Sequence, residues 1–417
     1  MKKFLAAMAL SLIMPMSASA LTLQEAVQTA LENNPSLQQT EYAIAVREAD
    51  LKSAKGGKGV KVNGSSSFNM SKTEGANHSK SLRGNISASL TLYSGNKLET
   101  QIKSAELDIE TARLNFYQAQ DDLIYQVAIA YVDALESLAT TKVDLQTEEN
   151  YAAHENYIAL LYDAGSKAKI DLLRAQVETS NAGQDTAKSH AAYEVNLVKL
   201  ATLMSVDSVP DFTLEEFSTA LELVEIENFL ALADENRNNL KADALNVEKG
   251  ELNIELARAD KRPTVSAELS TGFSSVYDSW HPTPDITVGV SASMTIFDSG
   301  VTDAKIKAAE IELERLRLAM QNDINSVHEN VVSAYKNLKI AVMRLRTTQK
   351  AVELAEEERY IATEKYNAGE GILLDILDAE KALATAKKNF VSANYDVTRY
   401  RLDLAHATGD TLSVINP

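Results

Sequence analysis

The side chains able to do chemistry in this chain are few and scattered. Its six histidines (His78, His154, His190, His281, His328 and His406) show no metal-ligand spacing. No phosphate-binding loop and no nucleophile motif is present, so the chain does not read as an enzyme and calls for no metal or cofactor. One pair of carboxylates stands apart. Asp375 and Asp378 are three residues apart, hence on one face of a helix near its start. Acids in a first helical turn also complement the helix dipole, so the pair has a structural reading beside a functional one. Just before them lies the turn Tyr366-Asn367-Ala368-Gly369, and an earlier turn, Tyr162-Asp163-Ala164-Gly165, matches it. After the earlier turn come Lys167, Lys169 and Asp171: the first turn carries bases where the second carries acids. Gly165 and Gly369 suit a tight chain reversal.

The matching turns belong to a larger correspondence. Ser87-Ala88-Ser89-Leu90-Thr91-Leu92-Tyr93 returns 204 positions later as Ser291-Ala292-Ser293-Met294-Thr295-Ile296-Phe297. Asp171-Leu172-Leu173 returns at the same offset as Asp375-Ile376-Leu377, and Glu32 to Leu37 returns at an offset of 203 as Glu235 to Leu240. A constant offset over so long a stretch is tandem duplication of one large unit. The chain divides into a leader at 1–20, a first repeat at 21–205 with a β-hairpin at about 60–94, a linker at 206–230, a second repeat at 231–409 with a β-hairpin at about 263–297, and a short tail at 410–417.

The leader has the form of a secretory signal: Lys2-Lys3, an apolar run from Phe4 to Met14, and small residues at Ala18-Ser19-Ala20. The formal charge is −18, which argues against nucleic acid as a partner. Cysteine is absent, and a core of this size does not need disulfides. After the leader no apolar run is long enough for a membrane-spanning helix, so a membrane role would need a β-barrel.

The period of the sequence then places the elements. Thr22 and Glu25 form a capping box at the start of a helix that stops at Asn34-Pro35. Around each hairpin the period is two. Ile286, Val288, Val290, Ala292, Met294 and Ile296 alternate with polar residues, and Val265, Ala267, Leu269, Thr271 and Phe273 share one face of the partner strand. Strands of about ten residues suit a tilted membrane crossing, and Phe273, Tyr277, Trp280, Tyr93 and Phe297 near their ends suit an aromatic girdle. Periodicity alone fits a soluble β-sandwich equally well; the flanking helices and the secretory address favour the barrel. After each hairpin comes a proline-free helical stretch, about 96–161 and 301–366, roughly 100 Å long at the usual rise. The final helix carries an unbroken seam from Ile376 through Ala379, Leu383, Ala386 and Phe390 to Ala407. A second apolar stripe on the first long helix (Leu107, Leu114, Ile124, Val127, Tyr131) predicts neighbours on both sides, as in a closed ring of helices.

The opening Leu21-Thr22-Leu23-Gln24-Glu25-Ala26, the run Ala30-Leu31-Glu32-Asn33-Asn34-Pro35, the two strand pairs each leading to a long helix, and the two Tyr-x-Ala-Gly turns resemble the TolC-type outer membrane channel-tunnel proteins. The resemblance covers the whole mature chain. It implies a mostly α, α+β chain that forms a homotrimer, with four strands per chain in a 12-stranded barrel and the long helices in a periplasmic coiled-coil barrel. It further implies a passive exit duct in the cell outer membrane, set in its lipid and extending into the periplasm. There it would serve efflux or type I secretion with a periplasmic adaptor and an inner-membrane pump; the cargo stays open between drugs, metal ions and proteins. Asp375 and Asp378 match the acidic ring at the periplasmic aperture, Asp171 and Tyr366 match positions that hold it shut, and the turns at Gly165 and Gly369 match the adaptor-docking tips. One departure is Gly371, where the family's best-known member has arginine; Lys167 or Lys169 is the expected replacement cation for Asp375 or Asp378. A periplasmic coiled-coil adaptor or scaffold is the alternative, sharing the helices but needing no duplicated amphipathic strands.

Overall fold

The computed structural model describes residues 20–72, 79–206, 214–217, 225–276 and 279–415. Residues 1–19 of the expected leader, Tyr277, and the linker residues Asp207, Pro210, Asp211 and Glu222 lie outside them. The chain forms two compact units, and each draws segments from both sequence repeats: one comprises 1–35, 120–236 and 329–417, the other 36–119 and 237–328.

The duplication is exact in length at the level of the helices. Helices α1 (Leu23–Asn33) and α5 (Ile226–Asn236) have 11 residues each, and α2 (Pro35–Gly56) and α6 (Asn238–Ala259) have 22 each. Helices α3 (Lys97–Asp163) and α7 (Val301–Asn367) have 67 each, and α4 (Lys169–Met204) and α8 (Leu373–Thr408) have 36 each. The left-handed backbone positions repeat too, with the glycine free to move within each pair: Gly95 and Asn96 answer Ser299 and Gly300, and Ser205 answers Gly409. What is duplicated is therefore the backbone turn, and one small or polar residue substitutes for another to make it.

In the second unit, β1 (Lys61–Ser71), β2 (Ser79–Tyr93), β3 (Thr264–Val276) and β4 (Ser279–Ser293) form one antiparallel sheet in the order β1-β2-β3-β4. The register aligns the apolar alternation across all four strands. Val62 pairs with Ala88, Ala88 with Leu269 and Leu269 with Val288. The next row on the opposite face runs Asn63, Ser87, Ser270, Thr287. A one-residue slip at any pairing would mix the two faces. The apolar face is uncovered in the single chain: Val288 is 77% exposed and Ile286 75%. At two places the sheet needs glycine: a Cβ on Gly84 would sit 2.5 Å from Cε1 of Phe273, whose ring lies over it, and one on Gly272 would sit 2.6 Å from the Gly84 carbonyl oxygen. The expected second hairpin extends to about 297, but β4 stops at Ser293, leaving Met294, Thr295, Ile296 and Phe297 beyond it. Its partner runs out there: Ser293 pairs with Thr264, and the preceding Pro263 has no N–H to donate.

Helix α6 packs closely on α7, since a Cβ on Gly250 would lie 3.0 Å from the Cδ1 atoms of Leu313 and Leu316. On the same helix pair, burial pushes the Asp243 carboxyl up to about 6, reinforced by the charge of Asp323 and a hydrogen bond with it.

In the first unit, α8 lies antiparallel to α3 and to α7, and its seam is buried: Ile376, Ala379, Leu383, Ala386, Ala393, Val397, Leu404 and Ala407. The facing stripe of α7 is buried at Val331, Ala334, Leu338, Ala341 and Ala355. Polar rungs flank the seam. Arg399 bonds Asp133 and Glu136 of α3, each at 2.7 Å, while Lys388 pairs with Asp144. Toward α7, Arg344 bonds Asp396 at 2.6 Å and Lys387 lies 3.5 Å from Glu356. The tail expected at 410–417 includes a short helix, α9 (Thr411–Ile415), started by the bond from the Thr411 N–H to Asp121. The linker expected from 206 to 230 gives way to α5 already at Ile226. Its described part is pinned by Tyr131 of α3. The hydroxyl of this fully buried residue donates to the Leu21 carbonyl (2.6 Å) and accepts from the Glu215 N–H (2.9 Å). Burial pushes that hydroxyl up to about 12, so it stays a donor.

Two predictions follow from these contacts. Tyr131→Phe leaves the Leu21 carbonyl and the Glu215 amide without that partner, a cost of about 1–3 kcal/mol; thermal unfolding of the solubilised protein should shift down, with faster protease cleavage between residues 206 and 225. Asp243 has a folded-state pKa above its unfolded value, so its contribution is present below pH 4 and lost as pH rises through 6. Asp243→Asn should therefore melt higher than wild type at pH 7.5 and close to it at pH 4.

Candidate functional site

The candidate residues collect at the two helix reversals of the first unit. Both reversals are the same hydrogen-bonded motif. At the first, the Ser166 N–H donates to the Leu161 carbonyl (2.8 Å) and the Gly165 N–H to Tyr162 (2.9 Å). At the second, the Glu370 N–H donates to Lys365 (2.9 Å) and the Gly369 N–H to Tyr366 (3.0 Å). This pair of bonds closes a helix on a left-handed residue, and Gly165 and Gly369 supply it with φ of 72° and 76°. A Cβ on either would meet nothing within 4 Å, so backbone conformation alone calls for glycine. Gly371 is favoured by close packing. Its φ is ordinary, but a Cβ there would lie 3.0 Å from the Tyr366 nitrogen and 3.2 Å from Lys365. Arginine at this position would need the Lys365–Tyr366 backbone to give by a few tenths of an ångström.

The helices restart at Ala168 and Ile372, both extended. Asp375, the third residue of α8, accepts a bond from the Ile372 N–H at 3.3 Å, which satisfies one of the free amides of the helix start. Asp375 and Asp378 are exposed, Asp171 is half-buried, and Lys169 is exposed. Tyr366 is only 8% exposed and packs with Tyr151, Ile158, Ala182, Leu373, Ile376 and Leu377. Its hydroxyl is buried without a hydrogen-bond partner among the described residues. The Lys167 ammonium stands over its ring, 4.4 Å from the centroid, within cation–π reach. The structure thus joins Lys167 to Tyr366. Within one chain it does not join Lys167 or Lys169 to Asp375 or Asp378, which form no ion pair among the described residues.

A second group close by was not singled out in the sequence. Glu380 of α8 is 4% exposed. Its carboxylate accepts from Asn150 Nδ2 (3.4 Å) and Arg359 Nη1 (3.4 Å) and lies 3.7 Å from His154 Nε2. Burial pushes its pKa up; the bond from His154 and the charge and bond of Arg359 push it down and prevail, leaving it below the ordinary glutamate value. Beside it the Tyr151 hydroxyl donates to the Leu377 carbonyl at 3.3 Å. Burial, then the charges of Glu178, Glu380 and Asp378, hold that hydroxyl well above the usual tyrosine value. The signal in the sequence is an acid inside an apolar stripe: Glu380 stands four residues after Ile376 and three before Leu383. His154, one of the scattered histidines, is one of its partners.

Chemically the arrangement offers exposed carboxylates, a cation clamped on an aromatic ring and a buried ion group. Among the described residues no cluster of carboxylate and imidazole groups could hold a metal ion, and no helix is long and apolar enough to cross a membrane. Gly369→Ala would place a side chain at φ 76°, costing about 1–2 kcal/mol; hydrogen exchange at the Glu370 amide should speed up by about tenfold, while exchange in the middle of α8 stays as in wild type.

Comparison with known proteins adds an independent line. The family described as outer membrane efflux protein matches residues 26–206 and 229–410, one match in each repeat. The outer membrane efflux protein BepC of Brucella suis biovar 1 (strain 1330) is 22% identical over 397 residues, covering 93% of this chain and 85% of its own. The outer membrane protein TolC of Vibrio cholerae serotype O1 is 23% identical over 416 residues, covering 94% and 91%. Among solved structures, a membrane protein from Pseudomonas aeruginosa superposes with a TM-score of 0.82 at 18% identity, over 93% of this chain and 92% of that one.

Proposed function

The chain belongs to the outer membrane efflux protein family and is an exit duct of the outer membrane for efflux or type I secretion, and on that premise we propose that three copies enclose one water-filled pore. Each copy lends its four strands to a shared 12-stranded barrel and its long helices to a tunnel in the periplasm. The observation that carries this reading is the sheet: one face apolar across all four strands, the other polar, and both outer edges unpaired among the described residues. Two copies would supply only about eight strands, whose interior side chains fill; three leave a channel. A periplasmic scaffold would have no use for a register-matched apolar sheet face.

The pore does no chemistry of its own, and its relatives are channel and transport proteins. Energy comes from an inner-membrane pump, joined through a periplasmic adaptor that meets the turns at Gly165 and Gly369. The gate lies at the same tips. In the trimer Asp375 and Asp378 supply six carboxylates to one constriction. Asp171, Tyr366, Lys167 and Lys169 line the contact between the two helical hairpins. Opening parts the α7–α8 tips from the α3–α4 tips, and partner binding favours the open arrangement.

The acidic ring has a direct test in planar-bilayer recording. Asp375→Ala combined with Asp378→Ala should weaken block of the pore by multivalent cations by at least tenfold in concentration, about 1.4 kcal/mol. An unchanged block would remove both residues from the constriction.

A further inference from the structure

We infer that Glu380 is a positioning residue of the gate, the buried anchor by which α8 holds both α3 and α7 in the closed arrangement; the inference rests on the exit-duct reading above. Three observations carry it. Among the described residues Glu380 is the ion-paired rung of α8 nearest the tip, and both neighbouring helices meet on it: Asn150 and His154 from α3, Arg359 from α7. The other rungs tie α8 to one partner helix at a time at Lys387 and Lys388, or lie farther along at Asp396 and Arg399. Between Asn367 and Ala379 no residue makes an ion pair among the described residues, so beyond Glu380 the tips are held by apolar packing, the Tyr151–Leu377 hydrogen bond and the Lys167–Tyr366 contact.

The chemistry explains why one residue can set the position. A carboxylate buried this far costs free energy unless its oxygens are met, and only the packed arrangement of α3, α7 and α8 meets them. Moving α7 and α8 away from α3 strips Asn150 and His154 from the group while Arg359 stays. The closed state therefore gains a preference that apolar packing alone does not give, because apolar contacts tolerate sliding and a doubly anchored carboxylate does not. Glu380 is not part of the acidic constriction: it is buried, whereas Asp375 and Asp378 are exposed.

The test uses the full-length protein reconstituted in planar bilayers. Glu380→Gln keeps the size of the side chain and removes its charge. It should raise closed-state conductance several-fold, with the assembly intact on native gels and the cation-block midpoint of the opened pore unchanged. Arg359 is 41% exposed at its side chain, so Arg359→Gln is a milder change and should move conductance in the same direction by less. Wild-type conductance in both variants, with the assembly intact, would overturn the inference, as would a rise that appears only when the assembly falls apart. Failure of the duct reading looks different, since wild type itself would then form no pore.

Discussion

In hydrocarbon a backbone amide has no water to bond with, so a strand that enters a bilayer must have a partner on each side. Everything in this chain answers to that constraint. Its sheet has four strands and therefore two edges, β1 and β4, whose outward groups have no strand beside them among the described residues. Soluble proteins blunt such edges with charges, bulges or short strands. Here β4 runs for 15 residues and its apolar side chains are among the most exposed in the molecule. Closure by further copies pairs every inner edge and turns the exposed apolar face into a lipid-facing one. Prolines at 282 and 284 lie on an edge strand, where a missing donor within the chain costs least.

Tandem duplication supplies the parts in matched sets. Paired helices of equal length and left-handed residues at equal offsets mean that the two halves present nearly equivalent backbones. Three such chains give six similar helical hairpins, a number that a ring can use without strain at any one joint. The halves then diverge in side chains where function needs asymmetry. The first turn carries Lys167, Lys169 and Arg174 where the second carries Gly371, Leu373 and Asp378, and Gln176 of α4 is answered in α8 by Glu380, a buried acid joined to two neighbouring helices. Equal backbones with unequal charges allow one hairpin to move against another along a surface that still fits.

Local and periodic features were legible in the sequence. The long helices, the period-two strands, the capping box at Thr22 and Glu25, and the glycine turns all depend on residues within a few positions of one another. What escaped depends on distant partners. The end of β4 at Ser293 is decided by where β3 begins, at Thr264 just after Pro263. Tyr131 reads as one more residue of an apolar stripe until Leu21 and Glu215 arrive at its hydroxyl. Glu380 reads as an ordinary helix acid, because His154 and Arg359 come to it from two other helices. Charge alone predicts a pairing of Lys167 or Lys169 with the aspartates. An aromatic ring at 4.4 Å competed for Lys167 and is what it meets within the chain.

A gate must be closed firmly enough not to leak and weakly enough for a partner to open it, so its free-energy difference has to be a few kcal/mol. The distribution of contacts along α8 suits that requirement. Farther from the tip its rungs repeat at Lys388, Asp396 and Arg399, each with a good partner, and breaking them together would be too costly for a docking event. At the tip the contacts are an apolar cluster, the Tyr151–Leu377 hydrogen bond and one cation on one ring, with no ion pair among the described residues from Asn367 to Ala379. Glu380 stands at the border between the two regimes. An anchor at that border limits how far a separation begun at the tip travels up the helices, and so sets the size of the opening as well as its threshold.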